Sequence, residues 1–276
     1  MNEVLQRIEK IKSIFLDTQL FYAQHDNIET VLHHLENADP VFRSIAYESA
    51  SMAIAIKDLE NNQQLDNWLL YANGPALAHK AQVYVGLGWA IAKLGLPFLP
   101  VVQKIEQGLY YRVADGCGYY DGTFRQRQSV INQQLPVYLP VTAITSYDEG
   151  IGRSLWYTNN ADIDIVRSKI NSFPPSRQSD LWRGIGIAVA YVGGCDESIV
   201  KTLFEYASVN ANQLARGAAL AVRSRMQANA LLADTDQCSR LWFALITGTV
   251  SIENEKVYLA WIKKIEEDLS NSFELE

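Results

Sequence analysis

The stretch KAQVYVGLGWAIAKLG, residues 80–95, sets Gly86 and Gly88 two positions apart in a run that otherwise reads as an apolar helix. Each interior glycine costs a helix roughly 1 kcal/mol relative to alanine, so the pair needs a reason. A phosphate-cradling loop would place such glycines between a strand and a helix, with a Lys-Ser/Thr end in the P-loop case. No strand pattern precedes Gly86 and no such end follows it. Small residues two apart also thin a helix, so that a neighbour can approach backbone to backbone, and the closer packing offsets the lost propensity.

Taking this small-x-small core as an anchor, five further segments align with the first without gaps, beginning at Arg43, Tyr110, Ile144, Gln178 and Ala211. Their cores fall at Ser49/Ser51, Gly116/Gly118, Gly150/Gly152, Gly184/Gly186 and Gly217/Ala219. Successive steps are 37, 30, 34, 34 and 33 residues, the length of a helix–turn–helix unit. Units three apart are separated by 101, 98 and 101 residues. This spacing predicts a three-unit block over 43–143 duplicated as 144–240, preceded by N-terminal helices in 1–42 and followed by capping helices in 241–276. A degraded seventh copy begins near Trp242.

Between these segments, 65–72, 99–109, 162–173 and 196–207 carry apolar residues at three- and four-residue intervals and read as partner helices. Asp196 and Asn254 suit N-caps, and Ser176, Ser179 or Asp180 would cap the helix after the Pro174–Pro175 break. A terminal helix is expected over 253–273, with Val257, Leu259, Ile262 and Ile265 on one side. Strand alternation is scarce, and its best case, 137–145, holds Pro140. The expectation is one all-α domain of six or seven tandem helical hairpins over 1–276, either an α-solenoid or a closed α/α ring.

Composition narrows the function. A hydrophobic content of 48% with 20% charged residues is ordinary for a globular protein. A net charge of -7 argues against a nucleic-acid partner, which calls for clustered Lys and Arg. Cys117, Cys195 and Cys238 are odd in number and widely spaced, suggesting neither a disulfide framework nor a zinc site. The N-terminus alternates charge with Leu and Ile and lacks a signal-peptide core. Residues 81–102 carry a single charge, Lys93, but Pro97 and Pro100 interrupt them, which fits a buried helix and connector better than a membrane span. A reduced cytoplasm fits these features.

The residue just before each small pair forms a column: Glu48, Val85, Asp115, Glu149, Arg183 and Arg216. Five of the six are ionisable although they sit in apolar helices. On a regular array they share a face and would converge on one groove, with Arg112 and Arg153 nearby; the alternative is interhelical ion pairs such as Glu149–Arg183, or a solvated face. Aromatic residues gather on the same helices, among them Tyr84, Trp89, Tyr119, Trp156 and Trp182, and a subset facing a groove would suit an extended apolar ligand. His79 lies about one turn before Tyr84, within reach of a carboxylate, and Cys117 has only the disfavouring Asp115 beside it. No histidine spacing, Walker, GxSxG or dinucleotide motif is present, so no metal and no cofactor are expected.

The stretches VGLGWAIAKLG (85–95), DGCGYYDGTF (115–124), EGIGRSLWY (149–157), DLWRGIGIAVAYVGGCDE (180–197) and ARGAALAVRSR (215–225) resemble an uncharacterised bacterial family encoded beside enediyne polyketide synthases and related secondary-metabolite genes. They run in the same order over about residues 40–230. The resemblance implies a cytoplasmic bacterial protein that assists biosynthesis of a polyunsaturated, polyketide-like product, and it hands over no reaction. The first unit departs from the family pattern with ESASMAI, and Tyr120 stands where many relatives carry a histidine.

Together these readings predict an accessory protein or enzyme holding an apolar or polyunsaturated ligand. Glu48, Asp115 and Glu149 are candidate acid/base groups. Arg153, Arg183 and Arg216 would anchor an anionic head or developing negative charge, and Tyr84, Trp89, Tyr119, Trp156 and Trp182 would line the cavity. The rival is a non-catalytic scaffold whose concave face docks a synthase, carrier protein or peptide.

Overall fold

The computed structural model describes residues 3–25, 27–61, 64–248 and 255–272. Among them are fourteen α-helices and no strand: α1 (Glu3–Gln24), α2 (Ile28–Glu36), α3 (Arg43–Asn61), α4 (Asp66–Asn73), α5 (Lys80–Leu94), α6 (Phe98–Val102), α7 (Tyr110–Phe124), α8 (Ile144–Thr158), α9 (Ile163–Ser172), α10 (Pro175–Val192), α11 (Glu197–Ala207), α12 (Ala211–Gln227), α13 (Ala233–Thr247) and α14 (Glu255–Ser270). None of the described helices is long and apolar enough to cross a membrane. The opening segment is buried helix α5, ended by Gly95 in the left-handed conformation.

All six aligned segments are helices, and α3, α5, α7, α8, α10 and α12 pack side by side in chain order. They run parallel. In the α7/α8 pair, Gly118 meets Tyr147 and, one turn later, Gly122 meets Ser154. In the α10/α12 pair, Arg183 lies against Gly217 and, two turns later, Tyr191 against Arg225. Helices α4, α6, α9 and α11 occupy the connections. Between α7 and α8 a connector replaces the outer helix, tied down by Asp121, which accepts hydrogen bonds from Tyr138 (2.9 Å), Tyr147 (3.0 Å) and Arg125 (3.0 Å).

The glycines set the spacing of this row. The first small residue of each helix faces the carbonyl of the column residue in the helix before it: Gly116 against Val85, Gly150 against Asp115, Gly184 against Glu149 and Gly217 against Arg183. The second faces a carbonyl in the helix after it: Gly88 against Val113, Gly118 against Tyr147, Gly152 against Leu181 and Gly186 against Leu214. A Cβ at any of these positions would fall well inside 3.0 Å of backbone oxygen, closer than real Cβ atoms come. The first unit can carry serines because its surroundings differ. Ser51 Oγ donates to the Val83 carbonyl (2.6 Å), and Ser49 Oγ donates to Phe15 of α1 (2.7 Å), which stands where the others have a preceding helix.

The last turn of α12 reaches back to the start of the row. Ser224 of α12 donates to Gln82 of α5 (2.7 Å), and the buried Arg225 donates to the carbonyls of Tyr191, Val41 (2.8 Å) and Ala230 (3.0 Å). Arg225 joins the end of the row to the turn that leads into α3.

Several boundaries differ from expectation. The helix expected over 99–109 ends at Val102, and a short 3-10 turn at Gln107–Leu109 leads into α7. Helix α10 begins at Pro175 with no side-chain cap, because proline at the first helical position has no N–H to satisfy; Ser176, Ser179 and Asp180 lie inside the helix. Residue 241 falls within continuous α13, so the block boundary at 240 does not coincide with a helix end, and Trp242 packs on α11, its Nε1 donating to Val200 (2.9 Å). Asp196 does cap α11 through Ile199 (3.2 Å), whereas Asn254 lies outside the described residues. The buried stripe of α14 is Tyr258, Ile262, Ile265 and Leu269, while Val257 and Leu259 are exposed.

Candidate functional site

Helix α1 is not part of the glycine row. It crosses the ends of the row, from Arg7, which donates to the Val192 carbonyl closing α10 (3.1 Å), to Gln19, which donates to the Ser49 carbonyl of α3 (2.6 Å). Between these anchors Phe15 lies against Trp89 of α5, the rings tilted by 38° with centroids 4.9 Å apart. Beneath α1 lies a cavity of about 410 Å³. Its walls are Ile11, Phe15 and Leu16 of α1, Ile45 and Glu48 of α3, Trp89 of α5, Tyr119, Thr123 and Phe124 of α7, and Tyr157 and Thr158 of α8, with Lys12 and Gln126. Leu16 (60% exposed) and Phe124 (63%) reach solvent.

The inward face of the row follows from the helical repeat. One and two turns beyond each column residue, on the same side, stand Trp89 after Val85, Tyr119 and Thr123 after Asp115, Arg153 and Tyr157 after Glu149, and Tyr191 after Arg183. Glu48 is 2% exposed, and its Oε2 has no hydrogen-bond partner among the described residues. Burial pushes its carboxyl up to about 8; Arg153 opposes that rise and Asp115 adds to it. Asp115, fully buried, accepts a hydrogen bond from Arg153, whose guanidinium lies 4.8 Å from the centre of the Tyr119 ring. Burial raises Asp115 to about 6 against the pull of Arg153. At neutral pH this corner therefore holds an Asp115–Arg153 ion pair and an uncharged Glu48 carboxyl, so it carries no net charge.

The other expected site residues are elsewhere. Glu149 is paired with Arg183, which also donates to Asp180 (2.8 Å), Gln213 (3.3 Å) and the Thr145 carbonyl (3.3 Å). That cluster lines no part of the cavity. Arg216 reaches Asp268 of α14 at 3.6 Å. Tyr84 is buried edge-on against Trp68 (5.1 Å), and Trp156 and Trp182 are buried without facing the cavity. The column thus divides between ion pairs and one cavity. Both Arg153 and Arg183 already hold carboxylates, which leaves neither as a free anchor for an anionic head.

Two further groups stand apart. Burial lowers His79 to about 4, and its ring is hydrogen-bonded to Ser44 (2.7 Å) rather than to a carboxylate. The buried Cys117 thiol donates to the Gly88 carbonyl, and burial raises it well above the ordinary thiol range, which leaves no nucleophile there. No group of three or more metal-ligating side chains occurs among the described residues.

The α1 residues and Tyr157, Thr123 and Phe124 are wall residues absent from the sequence-based site. Carrying the column forward by four and eight positions would have named Thr123 and Tyr157. Nothing in the repeat would have named α1, which lies outside it.

No curated protein and no solved structure matches the chain. Residues 1–265 match the family described as "Protein of unknown function (DUF1702)", and with nearly the whole length covered, the chain belongs to that family.

Proposed function

We propose that the protein binds an apolar, polyunsaturated small molecule in the cavity beneath α1, as an accessory protein or enzyme of bacterial secondary-metabolite biosynthesis in the cytoplasm. The observation that carries the reading is the wall itself. Five aromatic side chains, Phe15, Trp89, Tyr119, Phe124 and Tyr157, surround about 410 Å³ with a single carboxyl among them. Flat apolar molecules gain from such walls by dispersion and ring contact. The biosynthetic setting rests on the resemblance of the glycine segments to proteins encoded beside enediyne polyketide synthases.

The test is titration with a linear dodecatetraene, whose absorption overlaps tryptophan emission, read as quenching. Saturable one-to-one quenching is expected. Thr123→Phe, which fills the cavity, should weaken it at least tenfold, whereas Trp182→Phe, away from the cavity, should leave the dissociation constant unchanged. Equal binding by folded Thr123→Phe would refute the reading.

A second reading, a non-catalytic scaffold for a synthase or carrier protein, is favoured by one observation. The connector that replaces an outer helix exposes Ile131, Val137 and Val141. Capture of a purified carrier protein that survives Thr123→Phe but is lost in Val137→Asp/Val141→Asp would support it.

A further inference from the structure

We infer that the mouth of the cavity docks on the anionic surface of a lipid bilayer, from which the apolar ligand enters beneath α1. This rests on the cavity being a ligand site and names where its ligand comes from.

The argument starts from what surrounds the mouth. Leu16 of α1 and Phe124 of α7 are wall residues that are also 60% and 63% exposed. Leu20, one turn beyond Leu16, is 63% exposed and is not part of the wall. A group of exposed apolar residues rimmed by polar ones marks an interaction surface.

The charges beside these residues are unevenly placed. Between Lys80 and Asn160 the one exposed carboxylate is Glu106, and it pairs with Lys80 at the opposite end of α5 from the mouth. Asp115, Asp121, Asp148 and Glu149 are buried. Lys93 stands one turn after the wall residue Trp89, and Arg127 directly follows the wall residue Gln126. Both cations are exposed, and neither has an ion pair among the described residues. Arg125 lies between them, donating to Asp121 (3.0 Å) and to the Lys93 carbonyl (3.5 Å). On α1, Lys12 pairs with Glu9 (2.8 Å), and Asp17 belongs to a separate groove towards α2 with His34 and Asn37. Two positive charges are thus left over at the mouth of a chain whose net charge is -7. Lys93 lies in the last turn of α5 and Arg125 is the C-cap of α7, where cations also offset the negative pole of a helix.

The ligand itself selects a bilayer as what covers this face. At about 30 Å³ per water-sized group, the 410 Å³ cavity holds roughly fourteen non-hydrogen atoms. Each methylene moved from water into hydrocarbon gains about fourfold in partitioning, so an apolar molecule of that size resides in membrane and not in water. Leu and Phe beside Lys and Arg suit an anionic interface: the apolar side chains enter the acyl boundary, and each nearby cation strengthens attachment about fivefold. The acidic remainder of the chain is repelled by the same headgroups, which turns this face to the membrane.

The experiment is co-flotation of the full chain, without ligand, on vesicles of phosphatidylcholine alone or mixed equally with phosphatidylglycerol. Binding is expected to be at least tenfold tighter to the mixed vesicles and to weaken with added salt. Lys93→Glu/Arg127→Glu and Leu20→Asp should each weaken it at least tenfold. None of these residues lines the cavity, so both variants should keep the dodecatetraene quenching of wild type in solution, while taking the tetraene up more slowly from loaded mixed vesicles. Vesicle binding that is absent, equal for the two lipids or unchanged in either variant overturns the inference, and quenching in solution still leaves the cavity a ligand site. Capture of a purified acidic carrier protein that is lost in Lys93→Glu/Arg127→Glu, with no vesicle binding, assigns the face to a protein and overturns it as well. Absence of tetraene quenching in wild type overturns the cavity reading, and entry from the bilayer with it.

Discussion

Replacing Glu48 by glutamine should stabilise the protein above neutral pH, and the gain should grow with pH in a defined window. In the folded chain the Glu48 carboxyl is raised from its ordinary 4.5 to about 8 by burial. Below about pH 4.5 both folded and unfolded chains hold the proton, and the group carries no penalty. Between 4.5 and 8 the unfolded chain releases its proton while the folded chain keeps it, so stability falls by about 1.4 kcal/mol per pH unit. At pH 7 the accumulated loss is about 3 kcal/mol, and above pH 8 it approaches 5 kcal/mol and stops growing. Asp115 and Asp180, each raised to about 6 by burial, lose stability in the same direction at lower pH, but they remain in both proteins and largely cancel in the difference. Urea unfolding of wild type and Glu48→Gln at intervals from about pH 5 to pH 9 reads that difference directly. A curve that rises through this window and flattens at its upper end is expected. A difference constant within about 0.5 kcal/mol across the range would show that Glu48 titrates as an ordinary surface carboxylate, and the electrostatic account of the cavity would fall with it.

Three further substitutions probe the row of helices. Gly118→Ala drives a Cβ into the Tyr147 carbonyl, where no rotamer can relieve the clash, and should cost about 3 kcal/mol or more despite the better helix propensity of alanine, measured by urea or thermal unfolding; Gly108→Ala, with only ordinary contact to Ser270 at 3.7 Å, should be near neutral. Arg225→Met should cost about 3 kcal/mol by stranding the Tyr191, Val41 and Ala230 carbonyls, and hydrogen exchange should quicken at residues 41–45 before it does in α7 or α8.

The repeated glycine helices were legible in the sequence because their physical cause is local and repeated. A backbone that must touch a backbone needs a small residue, and the need recurs about every 34 residues. The column before each pair was legible for the same reason. What the column does was not, because pairing between units depends on the sideways offset of neighbouring helices: Asp115 meets Arg153, four positions past the column, while Glu149 meets Arg183 within it. The connector over 125–143 has no apolar periodicity to read, being held by one buried carboxylate, Asp121, through side chains distant in sequence. The lid of the cavity was invisible for a different reason. Phe15 and the largely exposed Leu16 of α1 are unremarkable amphipathic residues until α5, α7 and α8 are brought beneath them.

The parallel arrangement has an electrostatic consequence for the cavity. Peptide dipoles within a helix add up to about half an elementary negative charge at its C-terminal end. Antiparallel bundles cancel such charges between neighbours, whereas here adjacent helices present the same pole on the same side. Phe124 and Thr158 belong to the last turns of α7 and α8, and both are cavity wall, which is where that partial charge is felt. The backbone thus supplies a negative rim before any side chain is counted. The same glycines that let the helices close up also bring those C-terminal ends together, so the packing of the row sets the potential beneath α1.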